Sequence, residues 1–426
     1  MPSPTSVAVR AYARRVVQPS TSIALAPSLD RCLLGRRYHL NNARSLSSTR
    51  SLAALPARNH PRSAREVIQQ AVASIASKRE GQQRQVHATT TNPDSPLGKK
   101  NASNDVPSRI GLIGARGYTG QALIDLLDKH PFMDLRHVSS RELAGQELQR
   151  YTKRKITYQH LLPEDVAQLD KDGQIDCWIM ALPNGVCKPY IEALDQVQKG
   201  GKRRSLIVDL SADYRFDNSF FYGLPELTKR SEIRQSTRIS NPGCYATAAQ
   251  LGIAPLLDHI GGEPIIFGVS GYSGAGTKPS PKNDVNILKD NLMPYSLTGH
   301  MHEREISHHL GTSVAFMPHV ASWFRGIHLT INIPLNKTMA SRDIRQIYQD
   351  RYAGEKLVKV VGEVPQVKSI QTLHGCEIGG FAIDSSGKRV VVCSSIDNLN
   401  KGASTQCLQN MNLALGYAEF EGIPTM

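Results

Sequence analysis

The sequence predicts an α/β fold in two parts, a parallel-sheet domain followed by a domain with a more antiparallel sheet. Three observations predict it. From Arg109 the chain alternates short apolar runs, turns and helix-like stretches, the pattern of a parallel sheet with crossover helices. A glycine turn follows the first apolar run and opens a helix. From about residue 264 the apolar runs lengthen to IIFGVSGY, HLTINIPL and KRVVVCSSI, which points to a second sheet.

The chain before Arg109 has a different character. Residues 1–100 carry 16 Lys and Arg against 4 Asp and Glu, whereas the other 326 carry 35 against 33. The net charge of +14 therefore belongs to the leader, and the folded part is nearly neutral. That removes the nucleic-acid reading a basic chain invites, and an aromatic share of 6% gives no stacking platform for single strands. No apolar run approaches the roughly 18 residues needed to span a bilayer, so no membrane partner is expected. Before Glu66 the only acidic residue is Asp30, while Arg and Ser abound. This is the composition of an organelle transit peptide, placed at 1–60 and read as mitochondrial; the bland alternative is a basic tail that stays in the cytosol. Residues 64–80 could form a short amphipathic helix within a largely disordered linker, 61–107.

Within the folded part, 110–113, 176–182 and 206–210 read as buried strands, 121–129 as the first helix and 404–418 as the last. Seven cysteines without a C-x-x-C pair read as reduced thiols, most of them small buried hydrophobes.

Four motifs carry chemistry. Gly114, Gly117 and Gly120, with Arg116, Tyr118 and Thr119 between them, lie after a strand and open a helix. Glycines there let the backbone approach a pyrophosphate at the positive end of the helix; a turn that only packs is the alternative. At the next strand end, Ser139, Ser140 and Arg141 stand where an NAD enzyme would place a carboxylate, which favours NADP. The second motif places Cys244 after a Pro-Gly turn and before the run ATAAQLGIAPLL, hence at a helix N-terminus where the macrodipole favours thiolate. The third, SGYSGAGTK, contains Ser273, Gly274 and Gly276 and could line a phosphate or the nicotinamide, or be a flexible loop. The fourth, GHMHEREI, offers His300 and His302 as general base and acid. Its H-x-H spacing could bind zinc, but no Cys or His pair completes a closed site, so no metal is expected. His308 and His309 read as ordinary surface or core histidines.

From Arg109 to its end the chain resembles N-acetyl-γ-glutamyl-phosphate reductase, an arginine-biosynthesis family, and in particular its fungal mitochondrial form, which is joined to acetylglutamate kinase in one precursor. The segments that carry the resemblance are GARGYTG, ALPNGVC, DLSADYRF, YGLPEL, ISNPGCYATAAQLGIAP, GVSGYSGAGTKPSPKND, HMHEREI, FMPHVASWFRGI and IDNLNKGASTQCLQNMNLALGY. The resemblance implies a Rossmann dinucleotide-binding domain with an inserted α+β catalytic and dimerisation domain of the glyceraldehyde-phosphate/semialdehyde dehydrogenase type. The expected boundaries are 108–243 for the NADP-binding domain, 244–394 for the catalytic domain and 395–426 for a helix returning to the first. It also implies NADPH-dependent reduction of N-acetyl-L-glutamyl 5-phosphate through a Cys244 thioester, with His300 as base, and a homo-oligomer in the mitochondrial matrix. NADP contacts fall on the glycine turn, on Ser139, Ser140, Arg141, Leu182, Pro183, Asn184, Ser273, Gly274, Gly276 and Asn398. Substrate contacts fall on Arg215, His319 and Arg325. The sequence has no room for a kinase domain before residue 109, which implies a standalone reductase, a processed product or a partial gene model; association with acetylglutamate kinase is a further expectation.

Overall fold

The computed structural model describes residues 106–199 and 205–426. The transit peptide expected at 1–60, the helix expected at 64–80 and nearly all of the linker lie outside the described residues. Six parallel strands form the first sheet in the order β2-β1-β3-β4-β6-β5. They are β1 (Ser108–Ile113), β2 (Met133–Ser139), β3 (Cys177–Met180), β4 (Leu206–Asp209), β5 (Phe221–Tyr222) and β6 (Arg238–Ser240). Every residue of β3 (CWIM) and β4 (LIVD) is buried, as a sheet covered by helices on both faces demands. The strand order reverses between β1 and its two neighbours, which places a ligand crevice at the carboxyl ends of β1 and β3.

Seven strands form the second sheet in the order β11-β12-β13-β10-β7-β9-β8. These are β7 (Ile265–Gly271), β8 (Leu292–Pro294), β9 (Ala315–Ala321), β10 (Ile327–Pro334), β11 (Val358–Val360), β12 (Cys376–Ile383) and β13 (Arg389–Ile396). The sheet is mixed: β7 pairs with β9 and β11 with β12 in parallel, and the remaining pairs are antiparallel. In β10 (IHLTINIP) buried and partly open residues alternate strictly, so one face meets a core and the other does not. That core holds the helix Cys244–Ile253, whose Ala248, Ala249 and Leu251 pack with Ile331, Val392 and Ile396.

The last helix, Thr405–Leu415, is buried throughout and joins the core of the first sheet through Cys407, Leu408 and Met411. It is shorter than the 404–418 expected. A π-helical turn, Asn400–Ser404, precedes it, and Gly416 in the left-handed region ends it. Lys401 on that turn is wholly buried; its Nζ donates to Glu226 Oε1 at 2.7 Å, Gln406 Oε1 at 2.6 Å and Gln409 Oε1 at 2.7 Å. All three donors of the ammonium are thus matched, which is what lets a charge stay inside. Among the described residues no helix is long and apolar enough to cross a membrane.

Removing one partner of a buried pair strands the other charge. Lys401→Met is expected to destabilise the fold by about 3–5 kcal/mol in denaturant unfolding, and Lys401→Met with Glu226→Gln to recover part of that loss.

Candidate active site

The carboxyl ends of the first sheet deliver the site. After β6 the chain turns through Asn241, whose N–H donates to Asp209 O at 2.7 Å and whose Nδ2 donates to Ala403 O at 3.2 Å. The turn ends at Gly243, the N-cap of the helix that begins at Cys244. A Cβ on Gly243 would lie 2.4 Å from His302 Nε2 and 2.7 Å from an Arg215 nitrogen, so only glycine lets these groups close over the turn. Cys244 is partly open, whereas the other five cysteines among the described residues are buried. It lines a cavity of about 330 Å³ together with Arg215, Lys282, Tyr295, His300 and His302.

Two charged groups lie beneath the turn. Arg215 Nη1 donates to Glu305 Oε2 at 2.8 Å, and both side chains are buried. Nε of Arg215 donates to Asn241 O and Nη2 to Leu210 O, each at 3.0 Å. Glu305 Oε1 accepts the Gly243 N–H at 2.7 Å and the Tyr222 hydroxyl at 2.8 Å. Burial pushes the Glu305 carboxyl up, but Arg215, His302 and the Gly243 N–H override it and hold the group below the usual carboxylate range.

The sequence placed Cys244 where the helix dipole favours thiolate, and the helix start is as expected. The thiol nevertheless sits at about 11, because burial outweighs the Tyr245 N–H and the Arg215 charge, both of which favour thiolate. His302 is held down at about 3, first by burial and then by Arg215, despite the opposing pull of Glu305. His300 is also lowered, by burial and then by Lys282. At neutral pH the cavity therefore holds a thiol and two neutral imidazoles. His300 also caps its helix, Met301–Leu310: its Nδ1 accepts the His302 N–H at 3.1 Å. The neutral ring then carries its proton on Nε2.

The dinucleotide expectation meets a fitting scaffold. Gly114 has φ +87°, and a Cβ there would lie 2.1 Å from the Ala181 carbonyl oxygen, so the turn after β1 needs glycine. Gly117 is the N-cap of the helix Tyr118–Lys129, and no side chain caps it, which leaves the N–H groups of Tyr118, Thr119 and Gly120 for an anion. Arg116 pairs with Glu142 at 2.8 Å, and Arg141 is exposed. Ser139 and Ser140 are buried, their hydroxyls accepting the N–H of Leu161 at 3.1 Å and of Leu143 at 3.3 Å. Arg141 thus presents an exposed guanidinium, whereas both serine hydroxyls are turned to backbone N–H groups. After β3, Leu182 and Pro183 lead to Asn184, which lines the cavity and accepts the Ala212 N–H through Oδ1 at 3.0 Å.

The SGYSGAGTK stretch is an ordered wall. Asn398 Nδ2 donates to Ser273 Oγ at 2.9 Å and Asn398 Oδ1 accepts the Gly326 N–H at 2.7 Å, while Asn283 Nδ2 donates to Gly276 O at 2.8 Å. Gly274 lines the cavity. Two expected substrate contacts lie elsewhere. His319 neighbours the cavity-lining Val320 on β9, so its ring falls on the other face of the sheet, 4.3 Å from Phe267. Arg325 is bound to Asp397, with a further bond to Asn400 at 2.9 Å. Lys282, Tyr295 and Glu305 were not singled out from the sequence. Glu305, three residues after His302, lies on the same helix face, the one signal that could have found it.

These features meet what similar proteins share. Residues 109–236 match the family model described as semialdehyde dehydrogenase, NAD binding domain, and 244–398 match its dimerisation domain. The N-acetyl-γ-glutamyl-phosphate reductase of Stenotrophomonas maltophilia is 52% identical over 324 residues, 75% of this chain and 99% of the relative. The chain belongs to the N-acetyl-γ-glutamyl-phosphate reductase family. Protein arg-6, mitochondrial, of Neurospora crassa is 69% identical over 343 residues, and protein arg11, mitochondrial, of Schizosaccharomyces pombe is 59% identical over 322. The chain matches 80% and 76% of its own length there but only 39% and 36% of those fungal relatives. Among solved structures, an aspartate semialdehyde dehydrogenase II from Vibrio cholerae superposes with a TM-score of 0.60 at 15% identity, covering 72% of this chain and 98% of that one. The aspartate semialdehyde dehydrogenase of Candida albicans gives 0.54 at 14%, covering 72% and 99%. These likenesses establish the fold that this reductase family shares with the semialdehyde dehydrogenases.

A thiol pushed up to about 11 reacts slowly at neutral pH. Iodoacetamide alkylation of Cys244 in the ligand-free protein is expected to speed up about tenfold per pH unit from pH 7 to near pH 10, read by peptide mass spectrometry, since only the thiolate attacks. A rate already flat by pH 8 would mean that the helix start, not burial, governs the thiol.

Proposed function

We propose that the chain reduces N-acetyl-L-glutamyl 5-phosphate to N-acetyl-L-glutamate 5-semialdehyde with NADPH, releasing phosphate, as a step of arginine biosynthesis in the mitochondrial matrix. The observation that carries this reading is the partly open Cys244 at a helix N-terminus, beside two neutral imidazoles in one cavity. Bacterial relatives named for this reaction align over almost their whole length, and fungal relatives named as mitochondrial support the location. The division into an NADP-binding unit (108–243 with 395–426) and a catalytic unit (244–394) suits the way the last helix joins the first core.

Cys244 sulfur attacks the γ-carbonyl carbon. A carbon–sulfur bond forms, the bond to the phosphate oxygen breaks, and phosphate leaves with the electron pair and, in net terms, the thiol proton. The thioester so formed is a better hydride acceptor than a carboxylate. When bound, NADPH supplies that hydride. Loss of the carbon–sulfur bond then frees the aldehyde and restores the thiolate. In this reading His300 is a donor rather than the base the family resemblance implies. Its Nδ1 is occupied by the His302 N–H, so its Nε2–H is the proton the ring can offer to steady negative charge on the reacting oxygen. The backbone N–H of Cys244 at the helix start adds a second donor. Arg215 holds the turn, each of its nitrogens donating once, to Asn241 O, Glu305 and Leu210 O. The glycine turn, with Arg116 and Arg141, would hold the cofactor phosphates.

The exposed face of the second sheet, with Ile265, Phe267 and Leu292, lies within the segment matched by the dimerisation model and suits a homo-oligomer. The greater length of the fungal relatives supports association with acetylglutamate kinase.

NADPH oxidation with N-acetylglutamyl phosphate should exceed that with NADH or with aspartyl phosphate, and Cys244→Ser should abolish it. Preference for aspartyl phosphate would make the chain an aspartate-semialdehyde dehydrogenase in activity, and normal turnover by Cys244→Ser would dismiss the nucleophile. Replacing His300 separates donor from base. Asparagine caps a helix and donates, aspartate caps but cannot donate, and alanine does neither. His300→Asp and His300→Ala should lose about 10²–10³-fold in kcat, with His300→Asn clearly above both. An aspartate variant more active than the asparagine one would restore the base.

A further inference from the structure

We propose that Lys282 is the residue that grips the substrate phosphate and draws off its charge as the acyl–oxygen bond breaks. This rests on the acyl-phosphate reading above. Two cations, Arg215 and Lys282, line the cavity with the reacting thiol, and Arg325 lies outside that lining. Arg215 is buried against Glu305 and spends its remaining nitrogens on the carbonyls of Asn241 and Leu210. Arg325 is spent on Asp397 and Asn400. Lys282 lines the cavity with no carboxylate partner among the described residues; its Nζ sits 4.8 Å from the centre of the Tyr295 ring. An ammonium over an aromatic face is attracted without being neutralised, so its charge remains available to an anion.

Its placement points to the phosphate rather than to the substrate carboxylate. Tyr295, over whose ring Lys282 sits, lines the same cavity as Cys244, so ammonium and sulfur face one enclosed space. The group bonded to the carbon under attack is the phosphate. His300 feels the same charge, which helps to hold it neutral, and its ring lies 5.6 Å from that of Tyr295. The loop that carries Lys282 is held in shape by Asn283, which accepts the Ser280 N–H through Oδ1 at 2.8 Å and donates through Nδ2 to the carbonyls of Gly276 and Lys278, each also at 2.8 Å. Lys282 itself is only half-buried, so an anion released beside it reaches solvent without crossing the core. A compact ammonium suits an anion that arrives bonded to carbon and departs free, because it imposes no fixed bidentate geometry. As sulfur bonds to the carbonyl carbon and the carbon–oxygen bond breaks, the electron pair moves onto the phosphate, which is where the ammonium charge stabilises the transition state.

The reverse direction reads the phosphate separately. With N-acetylglutamate semialdehyde, inorganic phosphate and NADP⁺, Lys282→Met in the full-length chain should raise the KM for phosphate about 10–100-fold. The KM for semialdehyde should stay within about twofold, and Lys282→Arg should recover part of the phosphate affinity by restoring the charge. An unchanged phosphate KM overturns the proposal. So does a rise confined to the semialdehyde KM, which would give Lys282 to the substrate carboxylate. Wild-type enzyme that forms no NADPH from this semialdehyde sinks the acyl-phosphate reading and the proposal with it, whereas wild-type turnover with an indifferent Lys282→Met sinks the proposal alone.

Discussion

The Arg215–Glu305 pair is the joint on which the site depends. It gathers Leu210 from the end of β4, Asn241 and Gly243 from the turn after β6, and Tyr222 from β5 around one helix of the second domain. Those four points lie at the carboxyl edge of the parallel sheet, where its loops converge. Burying two charges costs several kcal/mol of desolvation per ion, so the pair is a poor source of stability. Its value is directional. Two of its hydrogen bonds fix backbone atoms of the turn that presents Cys244, the Asn241 carbonyl and the Gly243 N–H, and a hydrophobic pair of the same volume would fix neither.

Burial does to Cys244 and the histidines what a solvated site could not. The thiol is pushed up and the imidazoles down by the same loss of water. The resting cavity is consequently near neutral apart from Lys282, since Arg215 and Glu305 cancel beneath the floor. An anion entering such a cavity would meet little competing negative charge. Fixed donors in a water-poor site also act more strongly than the same donors in solvent. A protonated thiol is protected from adventitious oxidation until substrate arrives, because the thiolate is the reactive form.

Much of this was legible because it is local. The glycine turn, the strand before it and the helix behind it occupy fewer than about 30 contiguous residues, and the Pro-Gly-Cys start of a helix is a matter of neighbours. The lengthened apolar run 328–335 likewise pointed to a strand of a second sheet. What could not be read is what depends on distant partners. Arg215 looked free for substrate because Glu305, 90 positions away, is silent about its partner. Arg325 looked free because Asp397 lies 72 positions on. His319 is one residue from a cavity-lining position, and strand geometry puts that one residue on the opposite face; the sequence pattern does not say which face holds the cavity. The thiol is a case of two sound principles in conflict. The helix start was correctly placed, and desolvation, a tertiary property, proved larger.

The site also belongs to neither sheet alone. The helix that starts at Cys244 has its first turn at the edge of the parallel sheet, yet Tyr245, Ala248 and Leu251 are core residues of the second. His300, Tyr295 and Lys282 come from segments of that second domain, and Asn184 comes from the loop after β3 of the first. The reacting sulfur is therefore clamped from two cores. A shift of one domain relative to the other would move His300 and Lys282 against a thiol anchored to both. Such a shift meets resistance at the Arg215–Glu305 joint and at the ion pair of Arg230 with Glu355. Preorganisation of this kind needs rigid support on every side of the reacting atom, which is why so many buried polar contacts converge on a single partly open cysteine.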